Sequence, residues 1–508
     1  MKKLKFINLF YTLAFICFIS LGCSQSVNAK NLDLKIVFTN DIHGKIVGDE
    51  DTETGKFIGY SKIGSYISQT KHDKKNTLII DAGDAFHGDT VANLSQGQAV
   101  LSIMNEIGYN YFLPGNHDFN FGKERLLKLT HDGSFKTICS NLLNKSVPMF
   151  EENDIFEIDG VKIGIFALTS PELITKSNLK NIEEIEVIPP IEVAKKQVET
   201  LKEKGANFII LISHLGILSE EESWWSYAVR DSVPEIDLII DSHSHNVLDD
   251  FEQLDGKAVI TSAGISGQNV GVVDIEIKDK IKKIKPYNLS FSDFKDIPKN
   301  KKIEKIIKSE IDKIKPVLEQ NIGYTSVYLN GERETIRTEK TNLAEIVCEA
   351  VLKETDADIA FLNAGAFRSS IEVGNIKMAD VLRVFSLGHS IVTKSVSGEN
   401  IIKALELALR QYPKMSALFP QVAGMTFEII ATEGNNKVKD VTINGSRIDL
   451  KKEYIFATND FLASGGDGFD MIKSSRELKQ FDSLDKIFAK YVSEISPIDL
   501  DSNLKKSA

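Results

Sequence analysis

Four apolar runs of strand length each end in residues able to bind metal ions, and this arrangement limits the chain to few architectures. Leu34–Phe38 leads to Asp41-Ile42-His43, Thr77–Ile80 to Gly83-Asp84, Phe208–Ile212 to His214, and Ile236–Ile240 to His243-Ser244-His245. A fifth motif, Pro114-Gly115-Asn116-His117-Asp118, lies between them. Short runs rich in Val and Ile, bounded by polar turns, suit strands covered on both faces. Loops at the ends of such strands can bring side chains from distant positions into one crevice. Asp41, His43, Asp84, Asn116, His214, His243 and His245 then converge as candidate metal ligands.

Taken singly, each motif is ordinary. Gly-Asp after a strand is a common turn, and His-x-His can be an exposed strand end. The joint pattern is another matter, because five of the nine histidines fall within these motifs. A set of this size suits a pair of divalent cations roughly 3.5–4 Å apart, bridged by a carboxylate such as Asp84. Imidazole and carboxylate together favour Mn, Fe, Co or Zn over a purely oxygen-bound ion. Such a pair lowers the pKa of a bound water and holds a phosphate for in-line attack.

These ordered motifs resemble those of the calcineurin-like metallophosphoesterases. The downstream half narrows the resemblance to the 5'-nucleotidase family, through Thr341-Asn342-Leu343, Asn363-Ala364-Gly365-Ala366-Phe367-Arg368 and Phe461-Leu462-Ala463-Ser464-Gly465-Gly466-Asp467-Gly468-Phe469. It runs from about residue 33 to 475. It implies an α/β protein: an N-terminal four-layer αββα metallophosphoesterase domain, a linker helix and a C-terminal α/β substrate-binding domain. The implied boundaries are 33–290, 297–319 and 321–497. On pattern alone, the linker (Ile303, Ile306, Ile307, Ile311 and Ile314 at helical spacing) reads equally as a peripheral helix of the first domain.

The resemblance assigns Asp41, His43, Asp84 and His245 to one metal, and Asp84, Asn116, His214 and His243 to the other. Both ions are divalent: Mn, Zn, Fe, Co or Mg. His117 is the expected catalytic imidazole. Family nucleotidases usually read Asn-His-Glu-Phe-Asp, whereas this chain reads Asn116-His117-Asp118-Phe119-Asn120. Asn120 accepts a hydrogen bond but lacks the charge that an Asp partner lends an imidazole. Asn here resembles the branch that hydrolyses 2',3'-cyclic nucleotides. His87 lies near Asp84 in sequence and is not read as a ligand.

For the substrate, the resemblance points to Arg368, Arg337, Asn363 and Phe469. Guanidinium groups fork onto phosphate or ribose oxygens, although by residue type alone both arginines read as surface groups. Phe469 is expected to stack on the nucleobase, and a core aromatic is its alternative. The family's second stacking ring falls where this chain has Leu387, which leaves Phe385 as a substitute. The resemblance also implies that the second domain rotates to deliver substrate.

The expected function is an exported phosphohydrolase releasing phosphate from nucleotides, including nucleotide sugars and nucleoside di- or triphosphates. A 2',3'-cyclic-nucleotide phosphodiesterase is the alternative, and a surface binding protein with weakened catalysis is a third reading. A net charge of −11 argues against binding a nucleic-acid polymer. The expected partner is a small nucleotide, and the chain is expected to act as a monomer.

Residues 1–29 read as an export signal, with Lys2, Lys3 and Lys5 ahead of the apolar stretch Ile7–Gly22. Leu21-Gly22-Cys23-Ser24 resembles a lipoprotein site acylated at Cys23, which would anchor the protein to the membrane of the cell envelope. Val27-Asn28-Ala29 offers ordinary cleavage instead. Of the four cysteines, Cys139 and Cys348 lie outside the signal and are expected as buried, unpaired side chains.

Overall fold

The computed structural model describes residues 31–48, 56–177, 181–217, 221–248, 257–278, 281–386, 388–432 and 436–499. The export signal with Cys23, and Leu387, lie outside the described residues. No helix among the described residues is long and apolar enough to cross a membrane.

The N-terminal half contains two six-stranded sheets. In the first, Asn31–Thr39 pairs in parallel with Thr77–Asp81 and antiparallel with Asn269–Lys278. Tyr111–Phe112 and Lys136–Thr137 extend the parallel side, and Ile281–Ser290 closes the other edge. In the second, Val161–Thr169, Phe208–His214, Leu238–Ile240 and Val259–Ala263 run in parallel.

Side-chain alternation builds the layers. Phe208, Ile210 and Ile212 join a core shared with Ile36, Phe38 and Ile80 of the first sheet. Their neighbours Ile209 and Leu211 instead pack on Val193, Val198 and Leu201 of the helix Pro190–Glu203. Each such fully buried side chain contributes about 1.5–3 kcal/mol of transfer free energy. Helices Tyr60–Asp73 and Gln98–Ile107 cover the outer face of the first sheet through Ile63, Ile67 and Met104. The four layers are therefore α, β, β and α.

The helix expected near 297–319 spans Lys301–Leu318. Asn300 starts it by accepting hydrogen bonds from the backbone N–H of Lys302 and Ile303, at 3.0 and 3.3 Å. Its apolar stripe docks on the first domain, where Ile303 and Ile307 enter the core. Beyond it lies a five-stranded sheet in the order Pro420–Ala423, Ile359–Asn363, Glu453–Asn459, Ser390–Ser397, Arg476–Ser483. Helices Asn342–Thr355 and Leu484–Ile495 pack on one face of this sheet, and Gly398–Ala408 on the other. Cys139 and Cys348 are buried and free, and burial pushes both thiols up to about 12.

Candidate metal centre and substrate face

The parallel strands of both sheets end on one crevice. Asp41 and His43 follow Thr39, Asp84 follows Asp81, Asn116 follows Phe112, His214 closes its own strand, and His243 and His245 follow Ile240. Five of these residues have left-handed backbone: Asp41 (φ 48°), His43 (48°), Asp84 (56°), His243 (77°) and His245 (59°). Such conformations cost about 1–3 kcal/mol each for a residue with a side chain and persist where surrounding structure holds them, commonly at functional sites.

The potential ligand atoms cluster closely. His43 Nε2 lies 3.2 Å from His245 Nε2, and His245 Nε2 lies 3.6 Å from Asp41 Oδ1. Asp84 Oδ2 lies 3.9 Å from His43 Nε2 and 3.3 Å from His214 Nε2, which places it between two groups. Asp41, His43 and His245 form one set able to hold a metal ion, and Asp41, Asp84 and His214 another.

A fit test comes from atoms left without partners. Asn116 Oδ1 and His214 Nε2 are buried and make no hydrogen bond. His214 Nδ1 is engaged with Ala82 O at 2.8 Å, and its Nε2 lies 3.3 Å from Asp84 Oδ2. A cation within reach would satisfy each of these atoms, so the residues fit a metal. Burial alone would lower the His214 pKa, yet Asp84 pushes it up to about 10. Burial pushes His43 down to about 3 and His245 to about 4, keeping the neutral imidazole that ligation needs.

Buried polar groups hold the loops in place. The Asp118 carboxylate accepts hydrogen bonds from the backbone N–H of Asp84, Ala85, Phe86 and Gly115 at 2.8–3.0 Å. Asp118 therefore locks the loop that carries Asp84 to the loop that carries Asn116. Gly115 is required by proximity, because a Cβ there would collide with the Asp84 carboxylate and the His214 ring. Glu172, fully buried, lies 2.7 Å from His243 Nε2 and holds that ring in place. Nothing in the local sequence of Glu172 marks it. It reaches His243 only through the tertiary fold.

His117 sits at the rim, its ring 5.2 Å from that of His43 at 76°. Asn120 Nδ2 lies 3.1 Å from His117 Nδ1, and 3.1 and 3.4 Å from Nδ1 and Nε2 of His87.

On the second domain, the structure revises several expectations. Phe469 is fully buried, its ring 5.9 Å from Phe361 in the core. It cannot offer a face to a base, and the expectation that it stacks is corrected. Phe385 is 3% exposed, packed between Phe367 and Phe488, and cannot substitute. Phe461, in the same motif, is 38% exposed and lies 6.0 Å from the ring of His389. Sequence reading missed it because both phenylalanines flank one glycine-rich turn. Asn363 is nearly buried, and its Oδ1 accepts from Asn459 Nδ2 at 2.8 Å. Asn459 in turn caps the short helix that bears Phe461, so Asn363 supports that helix rather than lying open to substrate.

Arg368 is exposed and Arg337 half-buried. Burial, together with the neighbouring charges of Arg333 and Arg368, lowers the Arg337 pKa. The three guanidinium groups thus lie within electrostatic range of one another, with the Glu334 carboxylate also near Arg337. Buried Lys394 donates to the carbonyls of Ala463, Ile472 and Lys473 at 2.9–3.1 Å and pins the turn between Phe461 and Phe469.

Comparison with known proteins agrees with this geometry. The calcineurin-like phosphoesterase model matches residues 34–247, and the model of the 5'-nucleotidase C-terminal domain matches residues 321–474. The chain is 26% identical over 520 residues to a 5'-nucleotidase of Vibrio cholerae, covering 93% of this chain and 92% of that one. It is 28% identical over 494 residues to the trifunctional nucleotide phosphoesterase protein YfkN of Bacillus subtilis, covering 86% of this chain but 32% of that longer protein. A putative 5'-nucleotidase structure from Staphylococcus aureus shares the fold with a TM-score of 0.76 at 19% identity, covering 92% of this chain and 97% of the other.

Proposed function

The chain belongs to the 5'-nucleotidase family, which joins a calcineurin-like phosphoesterase domain to a 5'-nucleotidase C-terminal domain, and from this premise we propose that it is an exported, two-metal phosphohydrolase releasing phosphate from nucleotides. The observation that carries this reading is the presence of two orphaned buried atoms among the candidate ligands, Asn116 Oδ1 and His214 Nε2, the latter 3.3 Å from the Asp84 carboxylate.

In this reading Asp41, His43, Asp84 and His245 hold one divalent ion, and Asp84, Asn116, His214 and His243 hold the other. Bound there, the ions supply positive charge to the phosphoryl oxygens and lower the pKa of water. Asp84 and Asp118 keep the ligand loops in register. His117 hydrogen-bonds to the phosphoryl or leaving-group oxygen from the rim. Arg368 and Arg337 orient the anionic part of the substrate, and Phe461 offers a ring face to the base. The leader supports export, with Cys23 as the lipid attachment point.

A second reading, 2',3'-cyclic-nucleotide hydrolysis, is favoured by Asn120 at the place of the usual Asp. Both are tested by incubating the protein with AMP, ATP, a nucleotide sugar and 2',3'-cyclic AMP, with Mn and with chelator. Chelator-sensitive phosphate release from AMP is expected. Ring opening of cyclic AMP alone, followed by chromatography, would move the protein to the second reading. Bound metal without turnover of any of the four would point to a binding role.

A further inference from the structure

His389, on the second domain, belongs to neither ligand set. Its Nδ1 lies 2.7 Å from Asp460 Oδ1, within the range of a charge-assisted hydrogen bond. The same carboxylate accepts from the backbone N–H of Phe461 at 2.8 Å and of Ser390 at 3.1 Å. An ionised carboxylate only accepts, so the proton of the first contact sits on His389 Nδ1. Asp460 therefore ties the imidazole to the start of the short helix Asp460–Ala463, which carries Phe461. The backbone is held as well, because the His389 carbonyl accepts from the N–H of Leu484 at 2.8 Å.

The other ring nitrogen is left over. Nε2 makes no hydrogen bond among the described residues, and the side chain is 22% exposed, so the ring remains open to a ligand. With Nδ1–H spent on Asp460, the neutral ring offers Nε2 as an acceptor. Its surroundings give this acceptor a use. The imidazole centroid lies 6.0 Å from that of Phe461, the open aromatic of the second domain. The preceding residue abuts the rim of the metal crevice, since a Cβ on Gly388 would lie 3.7 Å from His87 Cε1 and Nε2 and 3.5 Å from Asn93 Nδ2. His389 thus stands beside the open ring, in a segment turned to the first domain.

Stacking alone accepts any base, because every base has a π-face. Selection needs a fixed polar group beside the stack. We propose that His389 is a specificity-determining residue whose Nε2 accepts a hydrogen bond from the nucleoside stacked on Phe461, from either a ribose hydroxyl or an exocyclic amine of the base. Asp460 keeps the ring in position for that contact. The proposal rests on the reading of Phe461 as the stacking face, so it is tested by binding, with turnover measured separately.

The full chain, loaded with Mn, is titrated calorimetrically with adenosine, 2'-deoxyadenosine, 3'-deoxyadenosine and inosine. The last three each lack one hydroxyl or carry an oxo group in place of the amine. The titrations are run at pH 8, above the ordinary imidazole pKa of about 6.5. The proteins are wild type, His389→Phe and His389→Leu. Both variants remove Nε2, the first keeping a flat ring and the second a smaller apolar side chain, and one folded variant suffices. Wild type is expected to bind one of the three analogues about tenfold more weakly than adenosine, the scale of one hydrogen bond. The disfavoured analogue identifies the donor. In the variants adenosine falls to the affinity of that analogue, and the analogue itself binds as it does to wild type. Equal affinity of wild type for all four nucleosides, or for none, overturns the proposal. A variant that keeps the wild-type preference does so too, as does one that weakens all four alike, since packing would then account for the loss. Failure of the stacking reading shows separately, as unchanged adenosine affinity in Phe461→Ala. Failure of the phosphohydrolase reading shows as wild-type protein that releases no phosphate from AMP.

Discussion

At the metal end of the molecule, Asp41, Asp84 and His214 are almost wholly buried, five candidate ligands hold left-handed backbone, and Asp118 ties two ligand loops together. At the substrate end of the second domain, Arg368 is exposed, Arg337 half-buried, and Phe461 presents an open ring. The first region is organised before anything binds. The second relies on side chains whose backbone is held but whose tips are free. Preorganisation suits the step in which charge must be stabilised without delay. Open aromatic and guanidinium groups suit recognition, where several related molecules are to be accepted.

The largest effect is expected where the first region is broken outright. Asp84→Ala removes the carboxylate that the proposed function assigns to both ions. Metal content should collapse, and phosphate release from AMP should fall at least about 10²–10³-fold, the scale of losing one strong electrostatic stabiliser. Elemental analysis and a phosphate assay check both. Near-normal metal content in this variant would count against Asp84 as the bridge.

The next test joins the two regions. Asn93 and Gly388 approach each other across the domains, with a Cβ at 388 lying 3.5 Å from Asn93 Nδ2. Cysteines at both positions, linked by a short thiol cross-linker, should abolish turnover while metal content stays unchanged. Cleaving a reducible linker should restore it. Full activity in the linked protein would show that the domains need not move.

A smaller effect is expected from Glu172→Gln, which keeps the shape of the side chain but weakens its hold on His243 Nε2. Loss of such a supporting partner typically costs 10–100-fold in metal affinity, readable by competition with a chromogenic chelator. The two phenylalanines around the glycine-rich turn give the finest distinction. Phe461→Ala should raise KM for AMP by the equivalent of about 1–3 kcal/mol of stacking while leaving thermal stability nearly unchanged. Phe469→Ala should cost about 3–5 kcal/mol of stability, seen in denaturant unfolding. The reverse pattern would return the stacking role to Phe469.

Much of the metal end is legible from the chain alone. Its ligands follow short apolar runs in a fixed order, and strand ends are a local property. The helix Lys301–Leu318 is also readable from its isoleucine stripe, though the stripe alone reads equally as a linker or as a peripheral helix of the first domain. Phe461 and Phe469 show where reading stops. Both are aromatic, both flank the same turn, and only the packing of Phe361 beneath one of them decides which faces solvent. Glu172 is a similar case. It meets His243 only in the folded chain, and it sits in no motif.

The sequence by itself placed Asp41, His43, Asp84, Asn116, His214, His243 and His245 at or near the ends of short apolar runs, because strand-end placement is set by neighbours along the chain, while the α/β class and the two-domain order came from its resemblance to a family. Only the tertiary structure decided that His243 leans on Glu172, that Asn120 touches two imidazoles, and that Phe461 rather than Phe469 is open. Those outcomes depend on burial and on hydrogen bonds between segments that meet only when the layers pack, and no local pattern encodes which of two like side chains the core will take.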